Sequence, residues 1–222
     1  MASSKRFHVV PDIPATLLKT YLAQDIVAVD TELQGLQLWR DQVCLIQLCD
    51  RKGNVCLVRP TPPHAPPNLK KLMTDPGTLK VFHYAVTDVS FLQASLGVKV
   101  KRYECTKVMS KLIRTYVNRH SLLGLVGELV GVELAKEQQT SNWSSANLTE
   151  KQLVYAANDV IHLIPVYDAL TSMIVERGKL PSGITAEELN RESQASIKTI
   201  VDLILNGYGD RDQGWETSVF SH

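Results

Sequence analysis

The hydrophobic pattern changes period along the chain, and that change sets the expected architecture. IVAVDT (26–31) is apolar on both faces until its acidic end, as in a central strand covered from two sides. VCLIQLCD (43–50) and NVCLVR (54–59) predict two further strands parted by the turn RKGN. Three consecutive strands with short connections predict an antiparallel meander. RFHVV (6–10) predicts a short edge strand, and PATLLKTYLAQ (14–24) a helix with Pro14 near its first turn. RPTPPHAPP (59–67) reads as a stiff Pro-rich connection.

After that loop the pattern alternates. NLKKLMT (68–74) predicts a helix, LKVFHY (79–84) a strand, VSFLQASLG (89–97) a helix stopped by Gly97, and KRYE (101–104) a short strand. Helices follow over about 105–116, 121–131 and 149–177, the last opened by a capping box of Thr149 and Gln152. Strands first, then a mixed and helical half, predict an α/β domain with one mixed central sheet flanked by helices. Residues 1–178 form that domain, and 179–222 a helical extension with a loose tail from Tyr208. The extension helix opens with Thr185 and Glu188 as a second capping box and stops at Asn206–Gly207. Ile197, Ile200, Val201 and Ile204 make one apolar face, which packs on the domain or joins subunits; packing on the domain is the stronger expectation.

Composition narrows the class. The chain has 222 residues, 44% hydrophobic and 21% charged, enough to bury a core. No apolar run approaches the roughly 18 residues of a membrane span. The opening MASSKRFHVVPD lacks the apolar core of a signal peptide. A net charge of +1 argues against coating long nucleic acid by charge, but leaves room for a short substrate in one pocket. Cys44, Cys49, Cys56 and Cys105 form no Cys-x-x-Cys pair, which disfavours a zinc site and suits reduced thiols in a cytoplasmic protein.

The candidate chemistry is acidic. If the first central strand persists through Glu32, Asp30 and Glu32 share a face. Two buried carboxylates side by side need a cation between them, although a turn or cap carboxylate is the plain alternative. Tyr155 and Asp159 are i and i+4 on a predicted helix. Leu153, Ala157, Val160 and Ile164 form its core stripe, and Val154, Ala156 and Ile161 make its other sides apolar, so Asp159 sits on a helix buried nearly all round. Asp88 opens a helix after a strand, a place that also suits a simple N-cap. There is no Gly-x-Ser-x-Gly elbow, no Walker-type loop and no Gly-x-Gly-x-x-Gly after a strand.

Asp30-x-Glu32, then Asp88, then Tyr155-x3-Asp159 resemble the three motifs of the DEDD 3′–5′ exonuclease superfamily, in its tyrosine-bearing variant. The ribonuclease D branch is most similar. The segment from ECTKVMSK to VYAANDV (104–160) resembles a small bacterial subgroup, the NrnC-type nanoRNases or diribonucleases. The likeness runs from about residue 6 to 170. Two departures stand out: Asn142–Trp143 where many relatives have Asp-Trp, and His83 where many have Asn. The tandem helical RNA-binding domains of ribonuclease D do not fit into 178–222, which moves the expectation toward very short RNA.

The resemblance implies a ribonuclease H-like fold and two divalent ions, Mg²⁺ or Mn²⁺, held by Asp30, Glu32, Asp88 and Asp159. It implies that Asp30 bridges both ions, that Glu32 and Asp159 complete the first, that Asp88 holds the second, and that Tyr155 orients the attacking water. The product implied is a nucleoside 5′-monophosphate. Leu36 is implied as a wedge between the last two bases, with a core leucine as the alternative. His83 touches the terminal sugar or is a buried structural histidine. Lys107, Lys111 and Arg114 predict one basic helix face, with Arg119 and His120 just after it; it holds phosphate or is simply solvated. Trp39, Tyr116 and Trp143 stack on bases or pack as ordinary aromatics, packing being the stronger expectation. The implied partner is short single-stranded RNA, dinucleotides above all, and the implied assembly a ring-like homo-oligomer. The rivals are an exonuclease acting on longer RNA or DNA and an inactive binding module on the same fold. The filled acidic positions speak against the second rival.

Overall fold

The computed structural model describes residues 7–134 and 141–208. The predicted tail beyond Tyr208 lies outside the described residues. Six strands make one mixed sheet: β1 Val9–Val10, β2 Ile26–Leu33, β3 Val43–Asp50, β4 Val55–Val58, β5 Leu79–Phe82 and β6 Tyr103–Cys105, in the order β1-β4-β3-β2-β5-β6. β2, β3 and β4 form the expected antiparallel meander, while β5 and β6 add in parallel beyond β2. β2 is therefore central, and Ile26, Val27, Ala28 and Val29 are buried on its two faces.

The two faces carry different layers. Val27 and Val29 of β2, with Ile46 and Leu48 of β3, belong to a core shared with α1 (Ala15–Leu22), α2 (Pro67–Thr74), α3 (Ala85–Leu96) and α8 (Ala186–Leu203). Ile26 and Ala28 face the other way, against α6 (Glu150–Ile161) and α7 (Leu163–Arg177). This period-two alternation continues through Leu33, so Asp30 and Glu32 point to the α6 side and Thr31 to the α3 side.

Several boundaries differ from the sequence expectations. The single helix expected over 149–177 is two helices that break at His162. Pro165 explains the break, because it lacks an N–H and its ring opposes the carbonyl four residues earlier. α4 spans Thr106–Ile113 and stops before Arg114, short of the predicted residue 116. The helix expected over 121–131 is one α-turn, α5 (Leu122–Leu125), followed by a wider π-type turn over Val126–Val130 that Gly131 ends at φ 75°. The capping boxes at Thr149/Gln152 and Thr185/Glu188 form as expected.

α8 packs on the domain rather than standing off it. Ile197 and Val201 are buried in the same core as α3, and Ile200 and Ile204 pack against it. Gln194 of α8 accepts from the Cys105 backbone N–H at 2.8 Å and donates to its carbonyl at 3.1 Å. One side chain thus ties the end of β6 to the C-terminal helix. Among the described residues, no helix is long and apolar enough to cross a membrane. The four cysteines form no disulfide among the described residues; Cys49, Cys56 and Cys105 are buried and Cys44 is partly exposed.

Candidate active site

The C-terminal end of β2 carries the site. Asp30 and Glu32 project from its α6 side, where Asp159 meets them from α6. One carboxylate oxygen from each of Asp30, Glu32 and Asp159 lies within 4.8 Å of the others. Asp88 approaches from the opposite face. Its carboxylate accepts a 2.6 Å hydrogen bond from Thr31 Oγ1. The four acids therefore straddle one strand end, with Asp88 set behind the other three.

Asp88 does not cap α3, as its sequence position suggested. The helix begins at Ala85, and the residue before it, Tyr84, is left-handed at φ 78° with no side-chain cap. Asp88 lies in the first turn, where the helix dipole favours a negative charge. α6 also differs from expectation: Ala156, Ala157 and Val160 are buried, but Val154 is exposed. The helix is one-sided, and Tyr155 and Asp159 lie along the edge of its buried face.

The electrostatics of this cluster are unfavourable without a cation. Burial first, and then the neighbouring carboxylates, push Glu32 up to about 10 and Asp159 up to about 8. Burial pushes Asp30 up to about 7. Asp88 is also raised well above the ordinary carboxylate range by burial and by Asp30, against which the Thr31 hydrogen bond works. No Lys or Arg forms an ion pair with these four among the described residues. Clustered carboxylate oxygens without a protein counter-charge are the donor set of a hard divalent cation.

A cavity of about 550 Å³ opens over the cluster. Asp30, Glu32 and Asp159 line it, with Thr31, Tyr155, His83, Tyr84 and Lys107. Ser121, Leu122, Leu123 and Leu134 complete the wall; none of these four stood out in the sequence, because isolated Ser and Leu residues carry no pattern of their own. Tyr155 is raised above the ordinary phenol range by burial and by Asp159, Glu32 and Asp30, so it keeps its proton at neutral pH. His83 Nδ1 sits 2.9 Å from Thr106 Oγ1, and burial, with Lys107 nearby, lowers His83 to about 4. The imidazole is therefore neutral above that pH. The Lys107 ammonium rests 4.1 Å from the centre of the exposed Tyr84 ring.

The other basic candidates do not converge on this cavity. Arg114 is fully buried. Its guanidinium donates to Ser110 Oγ at 3.0 Å and to the Arg119 carbonyl at 3.1 Å, and pairs with Glu128. The expected basic stripe fails because α4 ends at Ile113, which turns Arg114 inward as the residue that closes the helix. His120 Nδ1 bonds Ser110 Oγ at 2.8 Å. Among the described residues, Lys111, Arg114, Arg119 and His120 are not part of the cavity wall. Leu36 is 80% exposed on the loop after β2 and is not a core leucine. Trp39 and Tyr116 are exposed, whereas Trp143 is buried with its ring 6.2 Å from that of Tyr155.

Comparison with known proteins fits this arrangement. A family model described as 3′–5′ exonuclease matches residues 11–175. The exosome complex exonuclease RRP6 of Saccharomyces cerevisiae is 30% identical over 164 residues, covering 74% of this chain and 22% of that protein. The ribonuclease D of Desulfotalea psychrophila is 30% identical over 182 residues, covering 82% of this chain and 48% of that protein. The chain thus spans half or less of the length of these curated relatives. Among solved structures, Brucella melitensis NrnC aligns over 98% of both chains with a TM-score of 0.81 and 32% identity. It is also known bound to pGG and, at a TM-score of 0.78 and 29% identity, with bound Mg²⁺.

Proposed function

The chain belongs to the 3′–5′ exonuclease family, in its DEDD-type, ribonuclease D-like branch, and from that premise we propose that it removes nucleoside 5′-monophosphates from the 3′ ends of very short RNA, dinucleotides above all. One observation carries this reading: three carboxylates converge within 4.8 Å and line one cavity. At about 550 Å³ the cavity has the size of a small-ligand pocket rather than a track for a long strand. The likeness to NrnC, a protein solved with pGG, supports the short substrate.

Asp30, Glu32 and Asp159, with Asp88 behind them, would hold divalent ions, Mg²⁺ or Mn²⁺ by the hardness of the donors. When bound, such ions neutralise charge on the phosphate and the leaving oxygen and favour ionisation of water. The chain's own residues supply the rest. Tyr155 keeps its O–H and orients the attacking water by hydrogen bonding, without acting as a phenolate base. The water gives up a proton to solvent as its oxygen joins phosphorus, the bond from phosphorus to the 3′ oxygen breaks, and that oxygen takes a proton from solvent. Lys107, pinned over Tyr84, offers positive charge to a phosphate. Neutral His83 offers Nε2 to the terminal sugar while Thr106 fixes the ring. Leu36, exposed and apolar, would wedge between the terminal bases.

The same reading includes a ring-like homo-oligomer and a cytoplasmic location, the latter suited by the buried thiols of Cys56 and Cys105. Cleavage of 5′-labelled RNA of two to seven nucleotides, with Mg²⁺ or EDTA, tests the activity. Shortening of the labelled RNA to labelled mononucleotide only with Mg²⁺, fastest for the dinucleotide, is the expected result. An inert protein at every length would overturn the enzyme reading, and equal rates would overturn the dinucleotide preference alone. Solution mass tests the assembly.

A further inference from the structure

Gln47 occupies the middle of β3, directly across the antiparallel ladder from Asp30. It is wholly buried, and neither its amide nitrogen nor its carbonyl oxygen has a hydrogen-bond partner among the described residues. Such a group is a net cost to folding unless something satisfies it. Within the sheet its neighbours leave one candidate. On the α6 side of the sheet, its neighbours along β3 are Leu45 and Cys49, and its partner on β4 is Leu57. These residues belong to the apolar clusters under Ala156 and Val160 of α6. Asp30 alone, of the four sheet positions around Gln47, carries a polar side chain. Side chains directly opposite on one face of an antiparallel pair stand close enough to interact.

We infer that Gln47 is a positioning residue for Asp30: its amide N–H donates to the Asp30 carboxylate when that carboxylate is engaged with a cation, and so fixes which way its oxygens face. The inference rests on the proposed cation-holding role of Asp30. An amide retained at a cost in the metal-free protein and satisfied in the loaded one accounts for a glutamine where the sheet otherwise calls for an aliphatic residue. Partners behind metal ligands commonly act this way, and their removal weakens metal binding about 10-fold or more.

The test is calorimetric binding of Mn²⁺ and Mg²⁺ to Gln47→Leu and Gln47→Met, beside the thermal midpoint of each metal-free variant. The expected result is a metal-free midpoint equal to or above that of the parent, with metal affinity at least 10-fold weaker. In an Asp30→Asn background, the Gln47 change should have no further effect on metal binding. Metal affinity within twofold of the parent would overturn the inference. So would failure of both variants to fold, since Gln47 would then be a structural residue. Cleavage by the parent protein is measured separately, so failure of the exonuclease reading is distinguishable from failure of this one.

Discussion

Thr31 Oγ1 donates a 2.6 Å hydrogen bond to the Asp88 carboxylate, joining the strand that carries Asp30 and Glu32 to the helix that carries the fourth acid. The bond crosses to the far side of β2 and is made by the residue between the two motif acids. Thr31→Val keeps the shape and removes the donor, leaving a buried carboxylate with one partner fewer. A loss of about 1–3 kcal/mol is expected in chemical denaturation, with a weaker apparent affinity for the metal. Unchanged stability together with unchanged metal dependence would show that the bond does not matter.

Asp30 is placed at the centre of the proposed mechanism. Asp30→Ala should abolish cleavage of 5′-labelled dinucleotide while leaving the circular dichroism spectrum intact. Its metal-free thermal midpoint at pH 8 should not fall, because the substitution removes a buried acid that resists ionisation. Retained cleavage would show that the ion-holding assignment is wrong.

The cluster predicts how stability depends on pH. In the metal-free fold, Asp30, Asp159 and Glu32 keep protons to about pH 7, 8 and 10. The unfolded chain releases them near pH 4. Between those limits the native state binds more protons, so these groups lower stability as pH rises. In EDTA the thermal midpoint should therefore be lower at pH 8.5 than at pH 6. Mg²⁺ should raise it at both, and more at pH 8.5, where binding displaces fewer protons. A midpoint in EDTA that climbs over this range would contradict the assignment.

Tyr155 is held as a phenol by its acidic surroundings. Tyr155→Phe should lower kcat by about 10²-fold, the scale for loss of a group that acts in proton handling, with KM changed little. Steady-state kinetics on a dinucleotide separates the two constants. A defect confined to KM would place Tyr155 in binding rather than in water orientation.

Arg114 and Lys107 should behave differently despite sharing a predicted face. Arg114→Met strands Glu128 and frees the Ser110–His120 corner, so a stability loss of about 2 kcal/mol is expected, Glu128 being half exposed. Lys107→Ala leaves the fold unchanged and raises KM about tenfold. Urea denaturation and kinetics on both variants check the pair. A large KM effect from Arg114→Met without destabilisation would return it to the substrate surface.

What the sequence revealed, and what it hid, has physical causes. The meander was legible because β2, β3 and β4 are neighbours in sequence as well as in space. The carboxylates were legible because strand and helix periods place Asp30 with Glu32, and Tyr155 with Asp159, whatever the tertiary context. Thr31 and Gln47 were not, because their meaning depends on which elements cover the two faces of β2. Pro165 marks the break at His162, but a strongly periodic apolar run carries the helical pattern across it. Arg114 was misplaced because a helix end one turn earlier than its pattern suggests turns a surface position into an interior one. No pattern of apolar residues could mark the left-handed Tyr84, since its conformation follows from how β5 enters α3.

The link between Gln194 and the Cys105 backbone bears on where this protein can be cut. Through it, and through Ile197 and Val201, a segment nearly a hundred residues distant in sequence closes the sheet beside β6 and covers α3. α3 carries Asp88 and is joined to β5 by the turn that holds His83 and Tyr84. The C-terminal helix therefore acts as a brace for the candidate site without lining the cavity. Shortening the protein to the span that carries its motifs would leave every motif letter in place and remove the support that keeps one of them aligned.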